Sequence, residues 1–279
     1  MVVGKSINIV MESLRSILTN PYLKKSFRWI LKDKYHLSDL QINDVLMDKV
    51  SLTYSQKEDL HRLLKGEPIN YIIGWIDFLN CKIDLSFKPL IPRPETEYWV
   101  SKIIFKYKKF KPNSSLNILD LGCGSGCIGI SILKNIDNTF VDFVDIESIF
   151  LQQTKKNLNL NNIKSSRYTL ILSDLFYKLK DKQYDLILSN PPYIPFGLKN
   201  KDLKWEPSIA LYSGKYGLGT INKIIKYSKV HLRKNGKVFI EFNGTLKQQG
   251  EVKKNLKKLN YHYNFYKDQY NSLRYFSFG

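Results

Sequence analysis

The sequence predicts an α/β fold: a Rossmann-like domain of parallel strands and crossover helices, preceded by a small N-terminal helical domain and a linking β-hairpin. Three observations carry that reading. Short apolar runs suited to buried strands recur at residues 118–121, 139–144, 169–172 and 184–189, separated by segments of helical period. Gly122, Gly124 and Gly126 follow the first run directly and lead into a helix through Ile130, Ser131, Ile132 and Leu133. The stretch before residue 65 has helical periodicity and few glycines.

In order along the chain, the helical domain spans residues 1–66, the hairpin 67–90 and the larger domain 91–279. Ile7, Val10, Met11, Leu14 and Ile17 share one face of a first helix; Phe27, Ile30 and Leu31 belong to a second. Ser38 and Thr53 stand where capping side chains precede further helices. Residues 71–90 alternate apolar and polar as a hairpin does. In the larger domain a helix over 147–160 links the second strand to the third. Past residue 220 the pattern predicts a helix over 221–232, a turn at Asn235-Gly236 and a strand over 237–242. A helix over 248–259 and strands over 261–266 and 274–278 follow, the late strands forming an antiparallel pair.

A chain of 279 residues has room for one large domain and one small one. No run of about 18 apolar residues occurs, so no membrane contact is expected. Three cysteines are too few for a disulfide framework. Cys123 and Cys127 sit inside the glycine turn and its helix and read as small packed residues. His36, His61, His231 and His262 show no ligand spacing, and no metal is expected. The net charge of +19 is spread over lysine runs at 24–25, 106–111, 178–182 and 253–258. Three readings stay open for it: compositional bias, contact with a ribosomal RNA surface, and adaptation to a compartment. Residues 1–18 are amphipathic with Lys5 and Arg15, but Glu12 makes them a poor presequence on composition.

The chemistry concentrates at Asn190-Pro191-Pro192-Tyr193, which closes the fourth apolar run. A planar NH2 nitrogen is a poor nucleophile because its lone pair is delocalised. The Asn190 side-chain oxygen and the Pro191 carbonyl can each accept one of its hydrogens, drawing the nitrogen toward tetrahedral geometry. The prolines fix the backbone course, and Tyr193 offers a flat face for a planar group. The bland alternative is a proline-rich turn.

The glycine turn brings a ligand to a helix N-terminus. Asp120 precedes the glycines, and a carboxylate there suits the cationic amino group of S-adenosylmethionine better than a pyrophosphate. Alone, this turn is a weak signal that also admits a dinucleotide or no ligand. Asp145 ends the second strand, where an acid can accept ribose hydroxyls; Asp142 competes for that role. Asp174, after the third strand, is placed for an adenine amino group, with Leu175 or Phe176 over the ring. Each of these acids has a helix cap or loop role as its alternative.

With these motifs the chain resembles the protein-glutamine methyltransferases of peptide-chain release factors, the PrmC/HemK family. The likeness extends from about Gly66 to the C-terminus. It includes Lys65-Gly66-Glu67-Pro68, Gly74, Phe78, Leu90-Ile91-Pro92-Arg93-Pro94-Glu95-Thr96-Glu97, Trp205-Glu206-Pro207-Ser208-Ile209-Ala210-Leu211 and residues 214–218. The resemblance implies a class I S-adenosylmethionine-dependent methyltransferase fold. It implies cofactor binding by Asp120, Leu121, Gly122, Cys123, Gly124, Gly126, Asp145, Asp174, Leu175 and Asn190. It further implies catalysis by Asn190, Pro191, Pro192 and Tyr193, which bind the substrate together with Arg93 and Glu95. The implied acceptor is the glutamine of a release factor's Gly-Gly-Gln loop, docked in part by the helical domain of a monomeric enzyme. Residues 95–100 and 27–30 look closer to the fungal mitochondrial branch than to bacterial members, so the expected compartment is the mitochondrion, with bacterial cytoplasm as the alternative. One departure is Glu241-Phe242-Asn243-Gly244, where bacterial members often carry Glu-His or Glu-Ile-Gly; it is expected not to touch catalysis. A DNA adenine or rRNA guanine methyltransferase would share the glycine turn and the tetrapeptide, but a base-flipping enzyme usually needs a target-reading module. A catalytically dead binding scaffold is the third class.

Overall fold

The computed structural model describes residues 19–109, 115–198 and 203–279. The expected first helix, with Ile7 to Ile17, lies outside the described residues. The chain divides into two compact units that meet between Trp75 and Ile76.

The first unit is helical. Asn20 caps α1 (Pro21–Asp33) by accepting from the amides of Tyr22 and Leu23. Ser38 and Gln41 form a capping box at α2 (Asp39–Leu46), as Thr53 and Gln56 do at α3 (Tyr54–Leu64). The apolar faces these caps align bury Phe27, Ile30, Leu31, Ile42, Leu60 and Ile72. Each full burial removes a large apolar side chain from water, about 1.5–3 kcal/mol. The buried Asp59 carboxylate is matched by the Tyr35 hydroxyl at 2.6 Å, Lys34 at 2.7 Å and Arg62 at 3.0 Å. The expected hairpin starts late, because residues 71–73 close a short helix, α4 (Ile69–Ile73), instead. Tyr71, Ile72 and Ile73 are all buried, a run without the alternation that a half-exposed strand needs.

β1 (Trp75–Phe78) and β2 (Cys81–Asp84) form the hairpin. Side chains of the larger unit hold β2 and the residues after it. Asn161 and Asn157 accept from the amides of Lys82 and Asp84, and Gln153 accepts from Phe87. The hairpin segment is thus bound into the larger unit from Ile76 onward, and the compact units divide inside it rather than at residues 66 or 90.

After α5 (Pro94–Lys109) come β3 (Leu116–Leu121), α6 (Cys127–Asn135), β4 (Thr139–Asp145), α7 (Ser148–Leu160), β5 (Tyr168–Leu172) and β6 (Tyr184–Ser189). Then follow α8 (Ser208–Leu211), α9 (Gly219–Tyr227), β7 (Leu232–Glu241), α10 (Leu246–Lys258), β8 (Tyr263–Lys267) and β9 (Leu273–Phe278). The seven-stranded sheet runs β5-β4-β3-β6-β7-β9-β8. Its first five strands are parallel, while β9 pairs antiparallel with both β7 and β8. Ile118, Leu119, Leu186, Ile187 and Leu188 are fully buried, as expected for strands covered on both faces. The expected turn at Asn235-Gly236 is instead part of β7: Asn235 takes φ 66° and the register with β6 shifts between Tyr184 and Leu186. A bulge keeps the strand continuous where the dipeptide alone reads as a hairpin turn.

Strand order reverses beside β3, with β4 on one side and β6 on the other. Such a switch point opens a crevice at the carboxyl ends of the strands, and Leu121, Asp145 and Ser189 are those ends.

Candidate active site

A cavity of about 280 Å³ lies at this switch point. Leu121, Gly122, Cys123, Gly124, Asp145, Asp174, Leu175 and Asn190 line it, as do Pro191 and Pro192. The Ser189 hydroxyl donates to the Leu121 carbonyl at 2.6 Å, tying the two strand ends together.

The glycine turn is built on strand-end hydrogen bonds. The Gly122 and Cys123 amides donate to the Val144 carbonyl at 2.8 and 3.0 Å. Gly124 takes φ 55°, with no atom near where a Cβ would stand, so its backbone borders open cavity. Its amide donates to Asp145 Oδ2 at 2.9 Å, while Asp145 Oδ1 accepts from the Glu147 amide at 3.1 Å. Each carboxylate oxygen retains a lone pair for a further donor. Burial pushes the Asp145 carboxyl above its ordinary range, opposed by these amides. Asp142 is excluded from the cavity lining. Its carboxylate is buried and accepts from Thr169, from Lys182 at 2.8 Å and from the Tyr184 hydroxyl at 2.8 Å.

Two expected cofactor residues act from behind. Asp120 is not among the lining residues; its Oδ2 accepts from the Gly129 amide at 2.8 Å, and its Oδ1 is buried without a partner. Burial, opposed by that amide, pushes this carboxyl up to about 8, so the neutral acid prevails below that pH. Gly126 starts α6 and lies against Thr154, whose atoms a Cβ would meet at 2.8 Å. Phe176 is also drawn away, stacked on His231 at 4.8 Å, leaving Leu175 as the apolar wall at that point. Ile146, directly after Asp145, lines the cavity opposite in sequence logic to any core position, since it is half exposed.

Asn190 lines this cavity and a second one of about 170 Å³, which is also lined by Leu90, Arg93, Tyr193 and Leu211. Its Nδ2 donates to Thr96 Oγ1 at 3.1 Å, and its Oδ1 is buried with no hydrogen-bond partner. The other end of the tetrapeptide is clamped. Gln248 Nε2 donates to the Tyr193 carbonyl at 2.9 Å, and a Cβ on Gly217, at φ 72°, would stand 1.9 Å from that carbonyl oxygen. Only glycine fits there. The Tyr193 hydroxyl donates to Glu241 at 3.1 Å, so the ring is fixed by its tip as well as by packing.

Arg93 reaches the second cavity and pairs with Glu206, which also accepts from the Ile91 amide at 3.0 Å. Glu95 lines neither cavity. It sits in the first turn of α5, where a carboxylate suits the helix dipole, and the residue beside it, Thr96, lines the first cavity instead. Ile146, Lys223 and Glu241 carry no sequence signal as site residues, and Thr96 is marked only as part of the run Leu90–Glu97. Glu241 stood inside the segment expected not to matter.

The residues present fit S-adenosylmethionine. A glycine backbone bordering open space, an acid with lone pairs to spare at the end of β4, and apolar side chains at Ile146 and Leu175 match its amino-acid, ribose and adenine parts. Among the described residues no group of three or more His, Cys, Asp or Glu side chains is placed to hold a metal, and no helix is long and apolar enough to cross a membrane.

Fold and site define a class I methyltransferase that takes S-adenosylmethionine as methyl donor. The family described as "Methyltransferase small domain" matches residues 103–206. A release factor glutamine methyltransferase of Lactococcus lactis is 34% identical over 82% of this chain and 83% of its own length. That of Buchnera aphidicola subsp. Baizongia pistaciae is 32% identical over 92% and 88%. The chain belongs to the release factor glutamine methyltransferase family. Solved structures share the fold alone. A Pyrococcus furiosus methyltransferase aligns with TM-score 0.53 and 20% identity, covering 79% of this chain and 97% of that one. A T. thermophilus 16S rRNA methyltransferase in complex with AdoMet and guanosine aligns with TM-score 0.52 and 16% identity over 73% and 49%.

Proposed function

We propose that this enzyme methylates the side-chain amide nitrogen of the glutamine in the Gly-Gly-Gln loop of a peptide-chain release factor. The observation that carries the reading is Asn190 Oδ1, a buried acceptor without a donor. Leaving such an oxygen unmatched costs about 1–3 kcal/mol, which an incoming N–H recovers. A primary amide brings two hydrogens. Asn190 Oδ1 takes one and the Pro191 carbonyl the other, and the amide plane is fixed before reaction. Bound in the switch-point cavity, S-adenosylmethionine supplies an electrophilic methyl on a sulfonium. The acceptor nitrogen held by Asn190 and the Pro191 carbonyl would take that methyl as its bond to sulfur breaks, and would then lose one amide proton to water. Asn190 and the Pro191 carbonyl bear the positive charge that builds on the NH2 hydrogens. The Gly122–Gly124 backbone and Asp145 orient the donor.

Incubation with methyl-labelled donor tests this. Label should enter a release factor and fail to enter a variant whose loop glutamine is alanine. Label in rRNA or DNA and none in the release factor would instead establish the nucleic-acid reading, which the shared fold and the net charge of +19 support.

The proposal includes three finer points. The lysine-rich surface contacts ribosomal RNA, supported by that charge and tested by salt-dependent rRNA binding. The enzyme is a monomer, tested by sedimentation. The compartment is the mitochondrion, supported by the likeness of residues 27–30 and 95–100 to the fungal branch. Bacterial cytoplasm is the alternative, supported by the bacterial relatives, and organelle import of the tagged chain decides between them.

A further inference from the structure

Glu241 ends β7, 1% exposed, and three donors converge on it, two from one helix and one from the tetrapeptide. Thr96 Oγ1 and Trp99 Nε1, from α5, donate to Oε2 at 2.7 and 2.8 Å. The Tyr193 hydroxyl, at the far end of the tetrapeptide, donates to Oε1 at 3.1 Å. Three donors and no acceptor suit an ionised carboxylate, which can only accept.

Thr96 has one hydroxyl hydrogen, and Glu241 takes it. Toward Asn190 the Thr96 oxygen can then only accept. An asparagine amide has two faces of similar shape, NH2 and oxygen, and only the NH2 face can answer an acceptor. Asn190 accordingly gives Nδ2 to Thr96 at 3.1 Å, and its oxygen is the group left over. With the Thr96 hydrogen free, the hydroxyl could donate instead, and Asn190 could turn its oxygen toward Thr96 and its NH2 toward the acceptor. An NH2 there would face the donors of a glutamine amide and repel them.

We propose that Glu241 is a positioning residue that, through the Thr96 hydroxyl, fixes the Asn190 amide with its oxygen available to the acceptor. The same carboxylate fixes the Tyr193 ring, so one buried charge sets both ends of the tetrapeptide. This explains why a threonine follows Glu95 at the start of α5: a hydroxyl both donates and accepts, which no apolar residue of its size does. The inference rests on the reading of Asn190 as the partner of the acceptor amide.

The test is a double-mutant cycle on release-factor methylation, read as kcat and KM, with donor affinity by calorimetry and folding by thermal melts. Thr96→Val keeps the volume and removes the relay; it should lower kcat by about 10- to 100-fold, with donor affinity changed by less than about threefold. Thr96→Ser keeps the hydroxyl and should restore most of the turnover. Glu241→Ala should resemble Thr96→Val. In an Asn190→Ala background, where no amide remains to orient, Thr96→Val should cost nothing further. Wild-type kcat in Thr96→Val, failure of Thr96→Ser to restore turnover, or a Thr96→Val loss that persists undiminished in the Asn190→Ala background overturns the inference. If Glu241→Ala does not fold, the Thr96 variants decide it. Wild-type turnover by Asn190→Ala is a separate outcome and overturns the functional reading itself.

Discussion

The two ends of the active-site crevice are built on opposite principles. At the glycine turn, the polar groups that border the cavity are matched within the protein, though Asp120 Oδ1 behind its wall is not: Asp145 holds the Gly124 and Glu147 amides, and the Gly122 and Cys123 amides hold the Val144 carbonyl. At Asn190, an equally buried polar atom is left without a partner. The first arrangement makes a rigid cradle that exists before any ligand arrives. The second keeps hydrogen-bonding capacity in reserve for the group that reacts. Binding calls for shape held in advance; catalysis calls for an interaction completed only when the acceptor is in place.

The largest effect expected is at the unmatched end. Asn190→Ala should lower turnover by about 10²–10³ while donor affinity changes little. A comparable loss in donor affinity, measured by calorimetry, would erase the distinction between the two ends. Asn190→Asp sharpens the point. It still accepts hydrogen bonds, yet its charge favours the sulfonium ground state over the neutralising transition state, so it should bind donor at least as well as wild type and turn over slowly.

Next comes the matched end. Asp145→Ala should weaken donor binding by about 2–4 kcal/mol, because two ribose hydroxyls lose their acceptor and the glycine turn loses its tie. Unchanged calorimetric affinity in a folded variant would remove Asp145 from the cradle.

An effect on stability rather than on binding concerns Asp120. Its carboxyl is pushed up to about 8 by burial, against an ordinary value of 3.8. Between those two values the unfolded chain has released the proton and the folded chain retains it, so this group makes stability fall as pH rises through that window. Asp120→Asn removes the dependence, so the stability of the variant relative to wild type should climb from about pH 4 to about pH 8. Urea denaturation at several pH values checks this, and a pH-independent difference would refute it.

The smallest effect is at the rim. Lys223 and Asp174 stand 4.0 Å apart, both well exposed. Such a pair contributes about 0–1 kcal/mol, so Lys223→Ala should change donor affinity by less than about fivefold. A larger loss, insensitive to salt, would extend the cradle outward to the surface.

Much of the fold was legible because its signals are local. Ser38 and Thr53 cap helices through hydrogen bonds spanning three residues. The strands at 118–121 and 184–189 are apolar because both faces are covered. Local signals also misled where tertiary packing won. Residues 71–73 turned helical, and Asn235-Gly236 became a bulge inside β7 rather than a turn.

By itself, the sequence determined the α/β class, the glycine turn after β3, Asp145 at the end of β4 and the tetrapeptide after β6. Each of these is a short run whose spacing carries its own chemistry. Only the tertiary structure decided how they work together. It placed Asp120 and Gly126 behind the cavity wall and Thr96 in its lining. It also joined Thr96 to Glu241 across 145 positions, close to Asn190. No periodicity records a hydrogen bond over that separation. It exists because the start of α5 and the ends of β6 and β7 meet where the sheet reverses its strand order.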